Sequence, residues 1–254
     1  MPSSTKTENI NNSFFDGYYK DIWKQVFPEK TTLAEVDFII NEAGLGEGSR
    51  VLDLMCGYGR HALELAKRRI QVTAVDNLTD YINELKEKAA VENHCIECIQ
   101  ADILEIDLHK EYDAVICMGN SFQFFNQDDA SQLLLNIAAH IRKNGKFFIN
   151  TWSIAEIVFK NFKDKSWLKI NDLLFLSESK VLFKPTRVET DCIFITLNGE
   201  REEKKSVDYI FSIAELEIML INTGFILKEI YSIPGKKKFT VGEPRAYIVA
   251  ERRT

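Results

Sequence analysis

Hydrophobic residues follow two alternating spacings between residues 50 and 152 of this chain. Short apolar runs give way to longer stretches with apolar residues at helical spacing, and the exchange repeats several times. A short apolar run is typical of a buried strand, and the longer spacing is typical of an amphipathic helix. The predicted strands read RVLDLM, QVTAVD, IECIQAD, YDAVICMG and KFFINTW. This alternation predicts a parallel sheet with helices on both of its faces.

The pattern changes near residue 165. From there to about residue 212, several extended segments follow one another, and LNGE has the composition of a hairpin turn. These features predict an antiparallel insertion. The next segment, SIAELEIMLINTGF, starts with a capping serine and reaches a glycine near its end, which predicts a helix. ILKEIYSI and RAYIVAE are predicted to be the last two strands.

The N-terminal segment has a different character. Residues 1–13 are mostly polar and predict a disordered tail. The run SFFDGYYKDIWKQVF is rich in aromatic residues and compatible with a helix. TTLAEVDFIINEAGL predicts a second helix, with a threonine cap at its start and Gly44 and Gly46 at its end.

Composition narrows the class of protein. A length of 254 residues fits one large domain, or one domain with an insertion. The net charge of −6 does not favour a nucleic-acid partner, and the short basic runs GKKKF and ERRT are interpreted as solvated surface. No apolar run approaches the ~18 residues of a membrane span, so no membrane partner is expected.

The cysteines indicate a reducing compartment. Five cysteines, an odd number, and the lack of a signal peptide argue against a disulfide framework and predict a cytoplasmic protein. Cys95 and Cys98 form a CxxC pair, but no second pair or nearby histidine pair completes a zinc site. A structural role for both cysteines, and no metal, is expected.

The stretch DLMCGYGR, residues 53–60, joins the first predicted strand to a helix. Gly57, Gly59 and Ala62 fit the dinucleotide pattern G-x-G-x-x-G/A, and Asp76 lies 17 residues past Gly59, where a ribose-binding acid belongs. A nicotinamide-dependent oxidoreductase is therefore one hypothesis. Asp53 argues against it, because a carboxylate repels a pyrophosphate, whereas it suits a cofactor with a cationic end.

S-adenosylmethionine has such an end. It carries a sulfonium, an ammonium and a carboxylate, and it has no phosphate. Its carboxylate can use the amides at the helix start, and its positive groups can lie near Asp53. Asp76 can accept from both ribose hydroxyls, Asp102 can accept from the adenine amino group, and the Ile103 N–H can donate to the ring. Three acids, each at the carboxyl end of a strand, predict one crevice.

On these segments the chain resembles the class I S-adenosylmethionine-dependent methyltransferases, in particular small-molecule members with the signature D-L-x-C-G-x-G-R-H. The matching segments are VLDLMCGYGRHALELAKRRIQVTAVDNL, QADILEID, YDAVICMGNSFQFF, LLLNIAAHIRKNGKFFINTW, FSIAELEIMLINTGFILKEIY and RAYIVAER. The resemblance covers nearly all of the chain from about residue 14. It implies an α/β, Rossmann-like fold whose seven-stranded, mostly parallel sheet has an antiparallel last strand. Met55 departs from the pattern, because the family has a glycine there.

The resemblance also implies a division of the chain. Residues 1–13 are the disordered tail, and residues 14–164 hold the N-terminal lid helices and the core that binds S-adenosylmethionine. Residues 165–212 form an antiparallel β insertion that caps the substrate or forms a dimer surface. Residues 213–254 supply the last helix and the final two strands of the core. A monomer and a homodimer both remain open.

The implied activity is methyl transfer to a small-molecule acceptor, with S-adenosylhomocysteine as the product. In-line displacement from a sulfonium mainly requires alignment, and a base is needed only if the acceptor must lose a proton. His61 and Tyr19 are the catalytic candidates. Asn120, Ser121 and Trp152 are the substrate-binding candidates. The predicted cofactor contacts are Tyr19, Asp53, Met55, Cys56, Gly57, Gly59, Asp76, Asn77, Leu78, Asp102, Ile103 and Met118.

Two further expectations concern partners. The segment after the fourth strand lacks the N-P-P-[FY] and D-P-P-Y forms of nitrogen-directed nucleic-acid methyltransferases, so DNA or RNA is not expected as the acceptor. A domain that binds S-adenosylmethionine or its demethylated product without catalysis is the third hypothesis, because Met55 is atypical and no base is evident.

Overall fold

The structure is a computed structural model that describes residues 9–253. The strands are, in chain order, β1 (Arg50–Leu54), β2 (Gln71–Asp76), β3 (Ile96–Gln100), β4 (Tyr112–Cys117), β5 (Ile141–Thr151), β6 (Lys165–Ile170), β7 (Leu173–Phe183), β8 (Thr186–Thr196), β9 (Arg201–Tyr209), β10 (Phe225–Ile233), β11 (Lys237–Lys238) and β12 (Ala246–Arg252). The α-helices are α1 (Tyr18–Val26), α2 (Glu29–Ala43), α3 (Arg60–Lys67), α4 (Thr79–Val91), α5 (Gln127–His140), α6 (Ala155–Asn161) and α7 (Ile213–Asn222).

The chain divides into two compact units. The larger unit consists of Phe27–Phe162 and Ile210–Thr254, and the smaller unit combines Lys163–Tyr209 with the N-terminal segment that ends at Val26. The predicted insertion, 165–212, lies within three residues of the observed boundaries. The N-terminal segment differs from expectation, because it groups with the antiparallel strands and not with the core.

The larger unit contains an eight-stranded sheet in the order β11-β10-β12-β5-β4-β1-β2-β3. β5, β4, β1, β2 and β3 are parallel neighbours, and β12 runs antiparallel to both β5 and β10. The predicted fold class is therefore confirmed. The eighth strand, β11, is an addition of two residues at the edge, where the exposed Lys237 and Lys238 keep the edge charged.

Both faces of this sheet are covered. Helices α2, α3 and α4 pack on one face, where Ile39, Leu65 and Leu85 are fully buried against the alternate residues of the strands. The intervening strand residues, among them Leu52 and Val115, are fully buried as well. Strands buried on two sides need continuous apolar runs, which is why the sequence shows runs and not simple alternation.

Helix ends follow local chemistry. The α7 helix starts with a capping box in which Ser212 and Glu215 bond each other's backbone, as the predicted serine cap requires. The α2 helix ends at Gly44, whose φ of 61° gives the left-handed cap. Its start was predicted wrongly, since the helix begins at Glu29 after Pro28 and not at a threonine cap. Proline favours such a start because it lacks an N–H.

The smaller unit holds a four-stranded antiparallel sheet in the order β6-β7-β8-β9. Phe14, Ile22, Cys192 and Phe194 form its buried cluster. The disordered tail was predicted over residues 1–13, of which residues 1–8 lie outside the described part. Ile10–Ser13 instead form a short 3-10 helix, because the Asn11 side chain bonds the Val207 backbone N–H and carbonyl, each at 2.9 Å.

None of the helices in residues 9–253 is both long enough and apolar enough to cross a bilayer.

Candidate functional site

The loop between β1 and α3 has a left-handed backbone at three positions. The φ angles are 53° at Met55, 56° at Gly57 and 79° at Gly59. A side chain on Gly59 would collide with Leu85 of α4, so that position needs glycine for space as well as for conformation. A Cβ on Gly57 would meet nothing within 4 Å. The backbone of the loop is therefore open at Gly57 and closely packed at Gly59.

Asp76, the last residue of β2, fastens this loop. Its Oδ2 accepts the Gly57 N–H at 2.8 Å, and its Oδ1 accepts the Leu78 N–H at 3.0 Å. Burial raises the pKa of Asp76, while these backbone bonds oppose the rise. The Asn77 backbone N–H also bonds this carboxylate. A carboxylate has about four acceptor sites, so Asp76 retains capacity for about one further donor.

Asp53 is almost completely buried near the end of β1, with 1% of its surface exposed. Burial raises its pKa to about 7, against the lowering effects of the Arg60 charge and of a hydrogen bond from the Ala62 backbone. Its Oδ2 has no hydrogen-bond partner within residues 9–253, and the same holds for Nη2 of Arg60. Buried polar atoms without partners are rare, and a ligand or a water usually explains them.

The third predicted acid lies beyond β3. Asp102 accepts the Leu104 N–H at 2.9 Å, and the neighbouring Ile103 is buried. Because β1, β2 and β3 are parallel neighbours, Asp53, Asp76 and Asp102 lie along one edge of the sheet. The row of acids inferred from the sequence is present. Contact of each with a cofactor remains a prediction, as it does for Met55, Cys56, Gly57, Gly59, Asn77, Leu78, Ile103 and Met118.

Sequence reasoning missed a buried polar cluster around Glu35 of α2. Glu35 is fully buried and accepts bonds from Arg60 Nη1 at 2.5 Å, His61 Nε2 at 2.9 Å and the Tyr247 hydroxyl at 2.8 Å. Burial alone would raise the pKa of Glu35, but His61, Arg60 and Tyr247 outweigh it and lower the pKa to about 2. Since Tyr247 lies 212 positions away, no local pattern connects these residues.

This cluster changes the interpretation of His61. Burial lowers the pKa of His61 to about 4, and the neutral ring donates from Nε2 to Glu35. Only 5% of its side chain is exposed. Burial and the hydrogen bond to Glu35 favour a structural role for His61. They argue against the general base that its position after the loop suggested.

Two of the substrate-binding candidates are occupied by internal bonds. Asn120 Oδ1 accepts from the Thr151 hydroxyl at 2.8 Å and from the N–H groups of Trp152 and Ser153 at 3.0 and 3.1 Å. Ser121 donates to the Met118 carbonyl at 3.0 Å. Asn120 therefore ties the end of β4 to the end of β5, and its side chain is better explained as a brace than as an acceptor contact.

The third substrate-binding candidate is placed differently. Trp152 is half-buried directly after β5, and the guanidinium carbon of Arg245 lies 5.1 Å from the centroid of its ring. Trp152 thus remains at the edge where the predicted acceptor side lies.

Tyr19 belongs to the smaller unit. Its ring packs against Phe14 and Trp23, with centroid distances of 4.5 and 5.5 Å. Packing within its own unit is therefore established, and its predicted contact with a cofactor remains a prediction.

All five cysteines are free thiols. In the part of the chain that the structure describes, no group of three or more histidine, cysteine, aspartate or glutamate residues is arranged to hold a metal ion.

Comparison with known proteins gives the context of this site. Residues 51–145 match the family model described as a methyltransferase domain. The chain is 27% identical over 148 residues to a glycine/sarcosine N-methyltransferase of Halorhodospira halochloris, covering 57% of this chain and 55% of that protein. It is 27% identical over 214 residues to the putative methyltransferase YqeM of Bacillus subtilis, covering 81% and 83%. The chain spans only about half to three-fifths of the first two curated relatives.

Solved structures share the fold over nearly the whole chain. An S-adenosylmethionine-dependent methyltransferase from Clostridium acetobutylicum superposes with a TM-score of 0.80 at 17% identity, covering 93% of this chain and 97% of that one. The CcbJ methyltransferase from Streptomyces caelestis gives a TM-score of 0.79 at 18% identity, covering 92% and 96%. At these identities the likeness shows the fold alone.

Proposed function

We propose that this chain, which belongs to the class I S-adenosylmethionine-dependent methyltransferase family, transfers a methyl group from S-adenosylmethionine to a small-molecule acceptor. The observation that carries the proposal is the row of Asp53, Asp76 and Asp102 at the carboxyl ends of three neighbouring strands. Parallel α/β sheets bind their ligands at this edge.

The residues present fit the cofactor's functional groups. Asp53 Oδ2 and Arg60 Nη2 are buried and lack partners in the described structure. Arg60 is a cation, and Asp53 is an anion when it is ionised. A ligand with both an ammonium and a carboxylate offers a partner to each of them. Asp76 retains capacity for a ribose hydroxyl, and Asp102 is exposed and available to the adenine. The bound sulfonium supplies an activated methyl group with a good leaving group.

The chain's own contribution to the reaction is alignment. Asp76 and Gly57 hold the loop through one hydrogen bond, and Asn120 fixes the end of β4 against that of β5. Orientation of two reactants at a rigid edge can supply most of the acceleration that a displacement of this kind needs. No base is assigned, because His61 is buried and bonded to Glu35.

The acceptor is proposed at the level of its class. The curated relatives whose names specify an acceptor include glycine/sarcosine N-methyltransferases, and solved structures with this fold include sugar N-methyltransferases. These names support a small molecule, and an amine is the first type of acceptor to test.

The proposal is tested by calorimetric titration with S-adenosylmethionine, S-adenosylhomocysteine and NADH. We expect micromolar binding of the first two and no binding of NADH. Asp76→Asn keeps the size of the side chain and is expected to weaken binding at least about tenfold, the equivalent of one lost hydrogen bond to a charged group. Asp172→Asn, at an exposed turn of the smaller unit, is the matched control.

The outcomes separate the three hypotheses. Binding of NADH alone would replace the proposal with the dinucleotide hypothesis. Binding of S-adenosylmethionine without turnover on any acceptor would favour a non-catalytic domain. Unchanged affinity in Asp76→Asn would show that the ligand does not lie along the row of acids.

A further inference from the structure

A guanidinium with spare hydrogen-bond donors lies at the same edge of the larger unit's sheet. Arg245 directly precedes β12, and Trp152 directly follows β5. Because Ala246 pairs with Thr151, Arg245 and Trp152 are neighbours at this edge. Arg245 therefore belongs to the carboxyl edge of the sheet, although it precedes its own strand, since β12 runs antiparallel to the others.

Two aromatic rings hold this guanidinium. Its carbon lies 5.1 Å from the centroid of the Trp152 ring and 5.3 Å from that of Phe27. The two rings are stacked with an interplanar angle of 28°. Contact of a guanidinium with ring faces restrains its position and leaves its N–H groups available.

Few of those N–H groups are used. A guanidinium has five N–H donors. In residues 9–253 its hydrogen bonding is limited to a long contact of 3.5 Å from Nη1 to the Tyr247 hydroxyl. The nearest carboxylate oxygen, Glu35 Oε1, is 4.0 Å away and already accepts from Tyr247. The Arg245 side chain is 30% exposed, so its charge is neither buried nor matched by a carboxylate of its own.

The strand order gives the distance along the sheet edge between Arg245 and the nearest acid of the row, Asp53. The strand order β12-β5-β4-β1 puts Arg245 three strands from Asp53. With strands about 4.8 Å apart, this is on the order of 14 Å along the edge. The ends of β4 and β5 lie between them, braced by Asn120. A small acceptor that lies over this segment has its far end within reach of Arg245.

We infer that Arg245, held by Trp152 and Phe27, binds the carboxylate of the methyl acceptor. The acceptor class is then small carboxylic acids whose accepting atom lies a few bonds from the carboxylate. This inference rests on the proposed function. A planar guanidinium matches a carboxylate with two parallel N–H···O bonds, which a neutral amide of the same shape cannot accept in the same way.

The test uses pairs of acceptors that differ only in this group. Small amino acids and their amides, such as glycine with glycinamide and β-alanine with β-alaninamide, are offered to the wild type and to Arg245→Gln, Arg245→Lys and Arg253→Gln. Arg253 is exposed near the end of the chain and provides the matched control. Methyl transfer, acceptor binding in the presence of S-adenosylhomocysteine, and S-adenosylhomocysteine affinity are measured separately.

We expect the wild type to prefer the acid of each accepted pair. Arg245→Gln should raise KM for the acid about 30-fold, in line with loss of one partner of a charged pair, and should leave the amide's KM unchanged. The kcat at saturation and the affinity for S-adenosylhomocysteine should be unchanged. Arg245→Lys should be intermediate, because it keeps the charge without the planar pair of donors. Arg253→Gln should match the wild type.

Three results would overturn the inference. These are equal use of acids and amides by the wild type, an equal loss of both in Arg245→Gln, and a panel in which no acid is methylated or bound with S-adenosylhomocysteine. In each of these cases S-adenosylhomocysteine still binds the wild type. Failure of the proposed function is distinguishable, because the wild type would then bind neither S-adenosylmethionine nor S-adenosylhomocysteine.

Discussion

Glu35 is a fully buried charge that fixes the start of α3. It accepts three hydrogen bonds, and two of the donors, Arg60 and His61, come from the first turn of α3. The start of α3 is therefore fixed to α2 by charge as well as by packing. Breaking a buried ion pair by removing one partner typically costs about 3–5 kcal/mol, because the other charge stays buried.

This gives a prediction for Glu35→Gln. The native pKa is about 2 and the ordinary value is 4.5, so the carboxylate's contribution to stability is fully present above pH 4.5 and is lost as the pH falls towards 2. This shift corresponds to about 3 kcal/mol. We expect the free energy of unfolding of the variant to be lower by about this amount at pH 7 and to approach the wild type near pH 2.

Urea denaturation between pH 2 and pH 8 measures this difference. Glu87→Gln, on the exposed side of α4, is the control and should follow the wild type. A constant difference between Glu35→Gln and the wild type across the whole range would contradict an ionic role for Glu35.

Ionisation of Asp53 is expected to lower the free energy of unfolding, whereas ionisation of Glu35 raises it. Its native pKa of about 7 exceeds the ordinary value of 3.8, so ionisation in the folded state becomes a cost as the pH rises from 3.8 to 7. At pH 8 this cost is on the order of 4 kcal/mol. We expect Asp53→Asn to be more stable than the wild type at pH 8 and equally stable below pH 4, while its affinity for S-adenosylmethionine falls.

Thermal unfolding at pH 4 and pH 8, with and without S-adenosylmethionine, measures both the gain in stability and the loss of affinity. A variant that is less stable than the wild type at pH 8 would show that Arg60 already neutralises Asp53. Retained affinity would remove Asp53 from the ligand site.

At the scale of elements, the β1–α3 loop separates two uses of glycine. Gly59 has a positive φ and packs against Leu85, whereas Gly57 has a positive φ and faces open space. A non-glycine residue in the left-handed region costs about 1–2 kcal/mol, and overpacking adds about 1–3 kcal/mol. Alanine at each of these two positions therefore separates an effect on stability from an effect on ligand binding.

We expect Gly59→Ala to lower the free energy of unfolding by about 2–5 kcal/mol, because the backbone term and the overpacking term both apply. Gly57→Ala carries the backbone term alone and should cost about 1–2 kcal/mol. Both variants are expected to bind S-adenosylmethionine more weakly. Gly57→Ala should do so because its methyl group occupies space beside the loop amides. Denaturation and calorimetry on the pair measure the two effects. Equal stability losses would contradict the packing of Gly59 against Leu85.

At the scale of the whole molecule, what the sequence predicted depends on local patterns. The strands, the serine cap of α7 and the three acids were predictable because each depends on neighbours in sequence. The cluster around Glu35 was not, since its partners lie 25, 26 and 212 positions away. The bonds of Asn120 to Thr151 and Ser153 were not predictable either, because they form only when β4 and β5 pair. Contact of Asn120 with a substrate stays a prediction.

The boundary between the two units also depends on contacts between residues that are distant in sequence. The aromatic run before Val26 is compatible with a helix in either unit, and its grouping with the antiparallel strands follows from contacts such as the one between Asn11 and Val207. The strand β11 has only two residues, which is too short to produce a periodic pattern in the sequence.

The most direct test of the central claim is transfer of a labelled methyl group. The protein is incubated with S-adenosylmethionine that carries a deuterated methyl group and with a mixture of small amines, and all products are followed by mass spectrometry. We expect S-adenosylhomocysteine to form together with one labelled small molecule, and both to form at least about tenfold more slowly with Asp76→Asn when S-adenosylmethionine is well below saturation. Binding of S-adenosylmethionine with no labelled product from any acceptor would contradict methyl transfer to small amines.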